Sequence, residues 1–174
     1  ALESHDRLAR EPYLAIAEIA GRANAARILA AAPLPLAEIE RIAANEIENC
    51  DDIMFDRASA SVKLRKLRKL GALILNEQPQ AVSGAEAARV LAEGIAALGI
   101  DRLGWSKMQR QLRDRVVLLR SSWGQSEDNP WLDVTDHALA VSAAQWLAPF
   151  IEGRSSLNAI TTDDLDAALG TLLP

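Results

Sequence analysis

Cysteine occurs once in the 174 residues, at Cys50, so an intramolecular disulfide is excluded and a reducing cytoplasm fits. Histidine occurs twice. His5 and His137 have no cysteine or glutamate at metal-ligand spacing, and Cys50 has no histidine motif beside it, so zinc and thiol-nucleophile chemistry both lack their parts. No glycine is followed by lysine and no DEAH-like acidic box is present, which removes the phosphate cradle and the magnesium site that nucleotide hydrolysis needs. Every apolar stretch is broken by charge well short of the roughly 20 residues that cross a bilayer, and no basic-then-apolar leader opens the chain. Neither membrane insertion nor secretion is indicated.

The composition that remains, 49% hydrophobic and 25% charged, is that of an ordered globular chain of one or two domains. A net charge of −5 argues against indiscriminate nucleic-acid binding by the whole molecule, yet the charge is segregated. Between Arg57 and Asn76 there is no acid, and Lys63, Arg65, Lys66, Arg68 and Lys69 crowd that window. Five cations without a neutralising acid suit phosphate binding by counterion release. Leu64, Leu67 and Leu70 recur every third residue, however, so the same charges also read as the solvated face of one element. A second group, Lys107, Arg110, Arg113 and Arg120, falls on a predicted helix, with Arg110 and Arg113 three apart on one side. Of the four tryptophans, Trp146 sits at core spacing, Trp105 suits a helix-packing anchor, and Trp123 and Trp131 bracket a polar loop. Base stacking is the alternative use for them. The paired acids Asp51-Asp52 and Asp163-Asp164 read as a solvated turn and a helix start.

Along the chain, residues 1–10 form a lead-in, and Tyr13–Ile19 and Ala26–Leu29 read as two strands around a Gly21–Asn24 turn, although their alanines also tolerate helix. A short amphipathic helix follows from Pro35 to Asn45. Ile53–Phe55 reads as a strand leading to a turn at Asp56–Ser59, after which Val62 with Leu64 and Leu73–Leu75 read as strand material separated by the basic cluster and Gly71. Past Pro79 helices dominate. Ser83 to Glu86 has capping-box spacing and opens a helix to Gly99; a second helix carries a stripe of Met108, Leu112, Val116 and Leu119. Thr135 caps a third, with Leu139, Ala143, Trp146 and Leu147, and Thr161 with Asp164 caps the last. The expected fold is therefore α+β, a small β-containing module over 1–79 followed by an all-helical module over 80–174.

Short segments in a fixed order then carry a family likeness. Ala30–Leu36 with its Ile/Glu-rich helix, Arg68–Leu75, Trp105-Ser106, Arg110–Arg115, Leu118–Arg120, Trp146–Phe150, Arg154–Leu157 and Ala167–Pro174 together resemble the post-motor region of bacterial HrpB-type DEAH-box ATP-dependent RNA helicases. That resemblance implies two RecA-like motor domains upstream in the same polypeptide, with ATP and magnesium bound there and none in this chain. It also implies single-stranded RNA as a partner, and an oligonucleotide-binding-like character for the β-containing half. The chain alone is then no enzyme. Its expected role is to hold RNA by backbone phosphates through Lys63, Arg65, Lys66, Arg68, Lys69, Lys107, Arg110 and Arg113. The rival is a partner-docking or structural module with scattered cations and an exposed apolar patch.

Overall fold

A computed structural model describes residues 7–22, 26–124 and 129–174. His5 and the centre of the first expected turn lie outside the described residues. Five strands precede all but one of the helices: β1 (Leu14–Ala20), β2 (Arg27–Pro33), α1 (Leu36–Ile42), β3 (Ile47–Asp56), β4 (Ser61–Leu70) and β5 (Leu73–Gln80). Then come α2 (Gly84–Leu98), α3 (Lys107–Trp123), α4 (Asp136–Val141), α5 (Ala143–Trp146) and α6 (Thr162–Gly170), with 3-10 turns between them. The α+β class expected from the sequence is the one observed. The strands lie in two sheets, β1-β2 and β3-β4-β5, rather than in one five-stranded sheet.

The chain falls into two compact units, Ala1–Cys50 with Leu67–Glu77, and Asp51–Lys66 with Gln78–Pro174. In the first, β1 and β2 pair antiparallel from Leu14↔Pro33 to Ala20↔Arg27, with register irregularities on either side of Glu18. The alanine-rich segments are thus strands, because pairing satisfies their backbone groups where propensity alone is neutral. α1 buries Ile39; Ala43 just after it, Leu67 and Leu75 are this unit's other buried hydrophobics among the described residues. The Tyr13 hydroxyl donates to the Leu75 carbonyl at 3.1 Å and fastens the start of β1.

The second unit has a larger core, with Leu91, Ile95, Leu139, Leu147, Ile151 and Leu165 essentially inaccessible. Trp105 and Trp146 stack within it, centroids 6.2 Å apart at 15°. Each indole N–H has a backbone acceptor at 2.8 Å, Ile100 for Trp105 and Leu139 for Trp146, so neither buried donor is stranded. The start of β4 is extended by the loop before α6: the Val62 amide donates to Ser155 at 2.8 Å and the Leu157 amide to Ala60 at 2.9 Å.

Several local expectations change. The basic cluster does not separate strands; it is β4 itself, with Gly71 (φ +56°) in the turn that follows. Asp51 and Asp52 lie within β3, not in a turn. Ser83 stands at the N-cap of α2 without a side-chain bond, and the Glu86 carboxylate of the expected box pairs instead with Arg89, which also grips Glu93. On α3 the inward face is Gln109 and Val116 with half-buried Leu112, while Met108 is 80% exposed. The cause is a capping box in which Ser106 and Gln109 serve each other's amides; it turns Gln109 inward and Met108 out. The helix expected after Thr135 breaks at Ser142, whose hydroxyl donates back to the Ala138 carbonyl at 2.9 Å. Thr161 and Asp164 form the expected box on α6.

One contact in this unit leaves no tolerance. A Cβ on Gly94 of α2 would stand 2.2 Å from the Phe55 ring. Gly94→Ala should therefore destabilise the chain by about 1–3 kcal/mol despite alanine's better helix propensity. Urea unfolding checks this, and a Phe55→Leu background should recover part of the loss.

Candidate nucleic-acid interface

Strand alternation divides the β4 cations. Lys63, Arg65 and Lys69 share one face with buried Leu67, while Lys66 and Arg68 share the other with Leu64 and Leu70. Three of the five meet acids. Lys63 Nζ donates to Asp56 Oδ2 at 2.6 Å, Arg65 pairs with Asp52, and Arg68 Nη1 reaches Glu40 at 2.6 Å. These acids lie outside the acid-free window, Asp52 and Asp56 on β3 and Glu40 on α1, and chain order hides them. The turn expected at Asp56–Ser59 is present between β3 and β4; it folds the strands back on each other and brings Asp56 to Lys63 and Asp52 to Arg65, so the pairs were implicit in that turn. Lys66 and Lys69 have no ion-pair partner among the described residues; Lys66 is exposed and Lys69 half-buried.

The carboxyl of Asp56 is held down from its ordinary 3.8 to about 2, first by the Lys63 ammonium and next by the Ala58 amide, which donates to it at 3.0 Å. A depressed folded-state pKa means that this group's contribution is whole above pH 3.8 and fades as pH falls towards 2. A carboxyl NMR titration should give a midpoint near 2, moving up towards the ordinary value in Lys63→Gln.

The α3 group separates by role. Arg113 is a structural residue: its guanidinium lies 4.7 Å above the Trp105 ring, donates to the Val134 carbonyl at 3.0 and 3.2 Å, and pairs with Asp136. Its side chain is only 13% exposed. Arg120 donates to the Trp131 carbonyl. Lys107 and Arg110 are exposed without ion-pair partners among the described residues, and so is Arg115, which the sequence reading passed over in counting this group. Arg113→Gln should accordingly cost about 2 kcal/mol in chemical denaturation, from lost charge-assisted bonds and cation–π contact. Arg110→Gln should leave stability unchanged within about 0.5 kcal/mol.

Trp105 and Trp146 are buried and engaged, so neither offers a face to a base; Trp123 is 54% exposed. His137 is exposed in the first turn of α4, and no group of three or more metal-ligating side chains occurs among the described residues. No helix among them is long and apolar enough to cross a membrane.

The described residues form an α+β fold in which Lys66 and Lys69 on β4 and Lys107, Arg110 and Arg115 on α3 are among the cations without an ion pair. No family model matches the chain. It is 30% identical over 176 residues to the ATP-dependent RNA helicase HrpB of Escherichia coli (strain K12), a match that covers 99% of this chain and 21% of the relative. Two crystal structures of E. coli HrpB, described as a DExH-box NTPase and as a DEAH/RHA helicase, are similar at 25% and 22% identity. Their TM-scores are 0.46 and 0.45, over 98% of this chain and 21% of each solved chain. The HrpB resemblance carried by the short motifs is thus met by a relative of that name, and the chain spans about a fifth of that relative's length.

Proposed function

We propose that this chain is an accessory, non-motor region of an HrpB-type ATP-dependent RNA helicase, following the motor domains in one polypeptide and holding single-stranded RNA by its phosphates. The observation that carries the family reading is that nearly the whole chain matches a stretch amounting to 21% of HrpB. In this reading ATP and magnesium bind in the motor, and unwinding is done there.

The grip on RNA is assigned to four expected cations without an ion pair among the described residues: Lys66 and Lys69 on β4, Lys107 and Arg110 on α3. A phosphate approaching Lys63, Arg65 or Arg68 must displace Asp56, Asp52 or Glu40, and the energy recovered falls accordingly. Arg113 supports α3 rather than touching the ligand. A second reading, a docking module that makes no contact with RNA, draws support from that same pairing of three β4 cations and from exposed apolar side chains such as Ile42 and Ile19.

Single-stranded RNA binding across a salt series separates the two. Changing Lys66, Lys69, Lys107 and Arg110 together to Gln should abolish binding near 0.15 M salt and flatten the log K against log salt slope by roughly 3, at about 0.7 per phosphate contact. Lys63→Gln should change the slope far less. Absence of wild-type binding even at low salt selects the docking reading.

A further inference from the structure

Between α3 and α6 of the second unit lies a cleft of about 300 Å³, lined by Met108, Gln109, Gln111, Leu112, Arg115 and Asp166. Met108, 80% exposed, and half-buried Leu112 supply an apolar wall. Arg115 brings a cation without an ion pair among the described residues, and Gln111, one turn before it, an exposed amide. The Asp166 carboxylate is held in position from below. Gln109, 1% exposed, donates to Asp166 Oδ1 at 2.8 Å and to the Thr162 carbonyl at 2.9 Å, while its own oxygen accepts from the Ser106 amide at 2.8 Å. Asp166 Oδ2 accepts no bond from the described residues and remains available as an acceptor.

A ligand that suits these parts has a flat apolar body, N–H donors for the carboxylate and an anion for Arg115. A bare phosphate meets only the last need and is repelled by Asp166. A nucleotide with its base unstacked meets all three. We propose that this cleft seats one guanine of single-stranded RNA, with Arg115 on an adjoining phosphate, a proposal that rests on the reading that the chain holds RNA. An ionised carboxylate only accepts hydrogen bonds. Guanine is the RNA base whose pairing edge sets two N–H donors, N1–H and the N2 amine, side by side. Adenine and cytosine show one amine beside a bare ring nitrogen, and the single N–H of uracil is flanked by two carbonyls that a carboxylate repels. The Gln111 amide then donates to guanine O6, and the Met108 thioether packs against the ring. Lys107, next to Met108 on α3 and already assigned to phosphate, brings the strand to the edge of the cleft.

The test is fluorescence anisotropy with three RNA dodecamers: all uridine, the same with one central guanosine, and the same with inosine at that place, which lacks the N2 amine. The guanosine RNA should bind about tenfold more tightly than the all-uridine RNA, and inosine should forfeit most of that gain. In Asp166→Asn the guanosine-to-uridine affinity ratio should fall to near one. In Gln111→Ala, which leaves the bridge from Gln109 to Asp166 untouched, it should fall about threefold. Arg115→Gln should flatten the salt slope by about 0.7. Circular dichroism melts confirm that each variant folds. Equal wild-type affinity for guanosine and uridine RNA, or a ratio that survives both variants, overturns the guanine seat and leaves the phosphate grip standing. Binding of none of the three RNAs, even at low salt, overturns both.

Discussion

The helical unit depends on two indoles stacked in its centre. Trp105 and Trp146 come from opposite ends of the α3–α5 stretch, and each brings a large apolar surface together with one polar atom that must be satisfied. Their bonds to the Ile100 and Leu139 carbonyls fix both rings in place and also tie down a 3-10 turn and a helix. Arg113 then closes the outer face of Trp105, and its remaining donors hold the Val134 carbonyl immediately before the Thr135 cap. The segment just before α4 is thereby tied to this aromatic pair and the guanidinium above it. The Asn129 side chain adds bonds of its own, donating to the Arg120 and Gly124 carbonyls and accepting from the Trp131 amide.

How legible this was varied with the physics behind each feature. Helix identity and both threonine caps were readable because periodicity and side-chain-to-amide bonds are local signals. The β1-β2 pair was readable from its flanking turn residues although alanine argued weakly for it. β4 was misread as a divider because alternation of lysine, arginine and leucine does not follow the usual inside-outside pattern of a strand. Gln109 went unread since its burial depends on Thr162 and Asp166, more than fifty residues away. The relation of the basic run to its acids was hidden for the same reason: a window of sequence records which charges are adjacent, while folding decides which ones meet.

That distinction alters the electrostatic picture of the molecule. A stretch of five cations in sequence becomes, on the strand, two exposed or half-exposed lysines and three neutralised pairs distributed over two faces. The pairs are partly exposed and contribute little individually to stability, but they lower the local field that long-range steering of a polyanion needs. On α3 the same sorting occurs by depth, with the arginine closest to the core given to structure and Lys107 and Arg110 left to solvent.

Gln109 carries a final consequence. Its amide oxygen accepts from the Ser106 N–H at 2.8 Å, and its amide nitrogen donates to the Thr162 carbonyl at 2.9 Å and to Asp166 at 2.8 Å. One fully enclosed side chain therefore closes the beginning of α3 and holds the first turns of α6. A nine-residue helix is too short to persist by itself in water. Fraying of the last helix must then break the amide bridge at the head of the third, which makes the two a single opening unit in hydrogen exchange and couples local unfolding near the chain's end to a site more than fifty residues away.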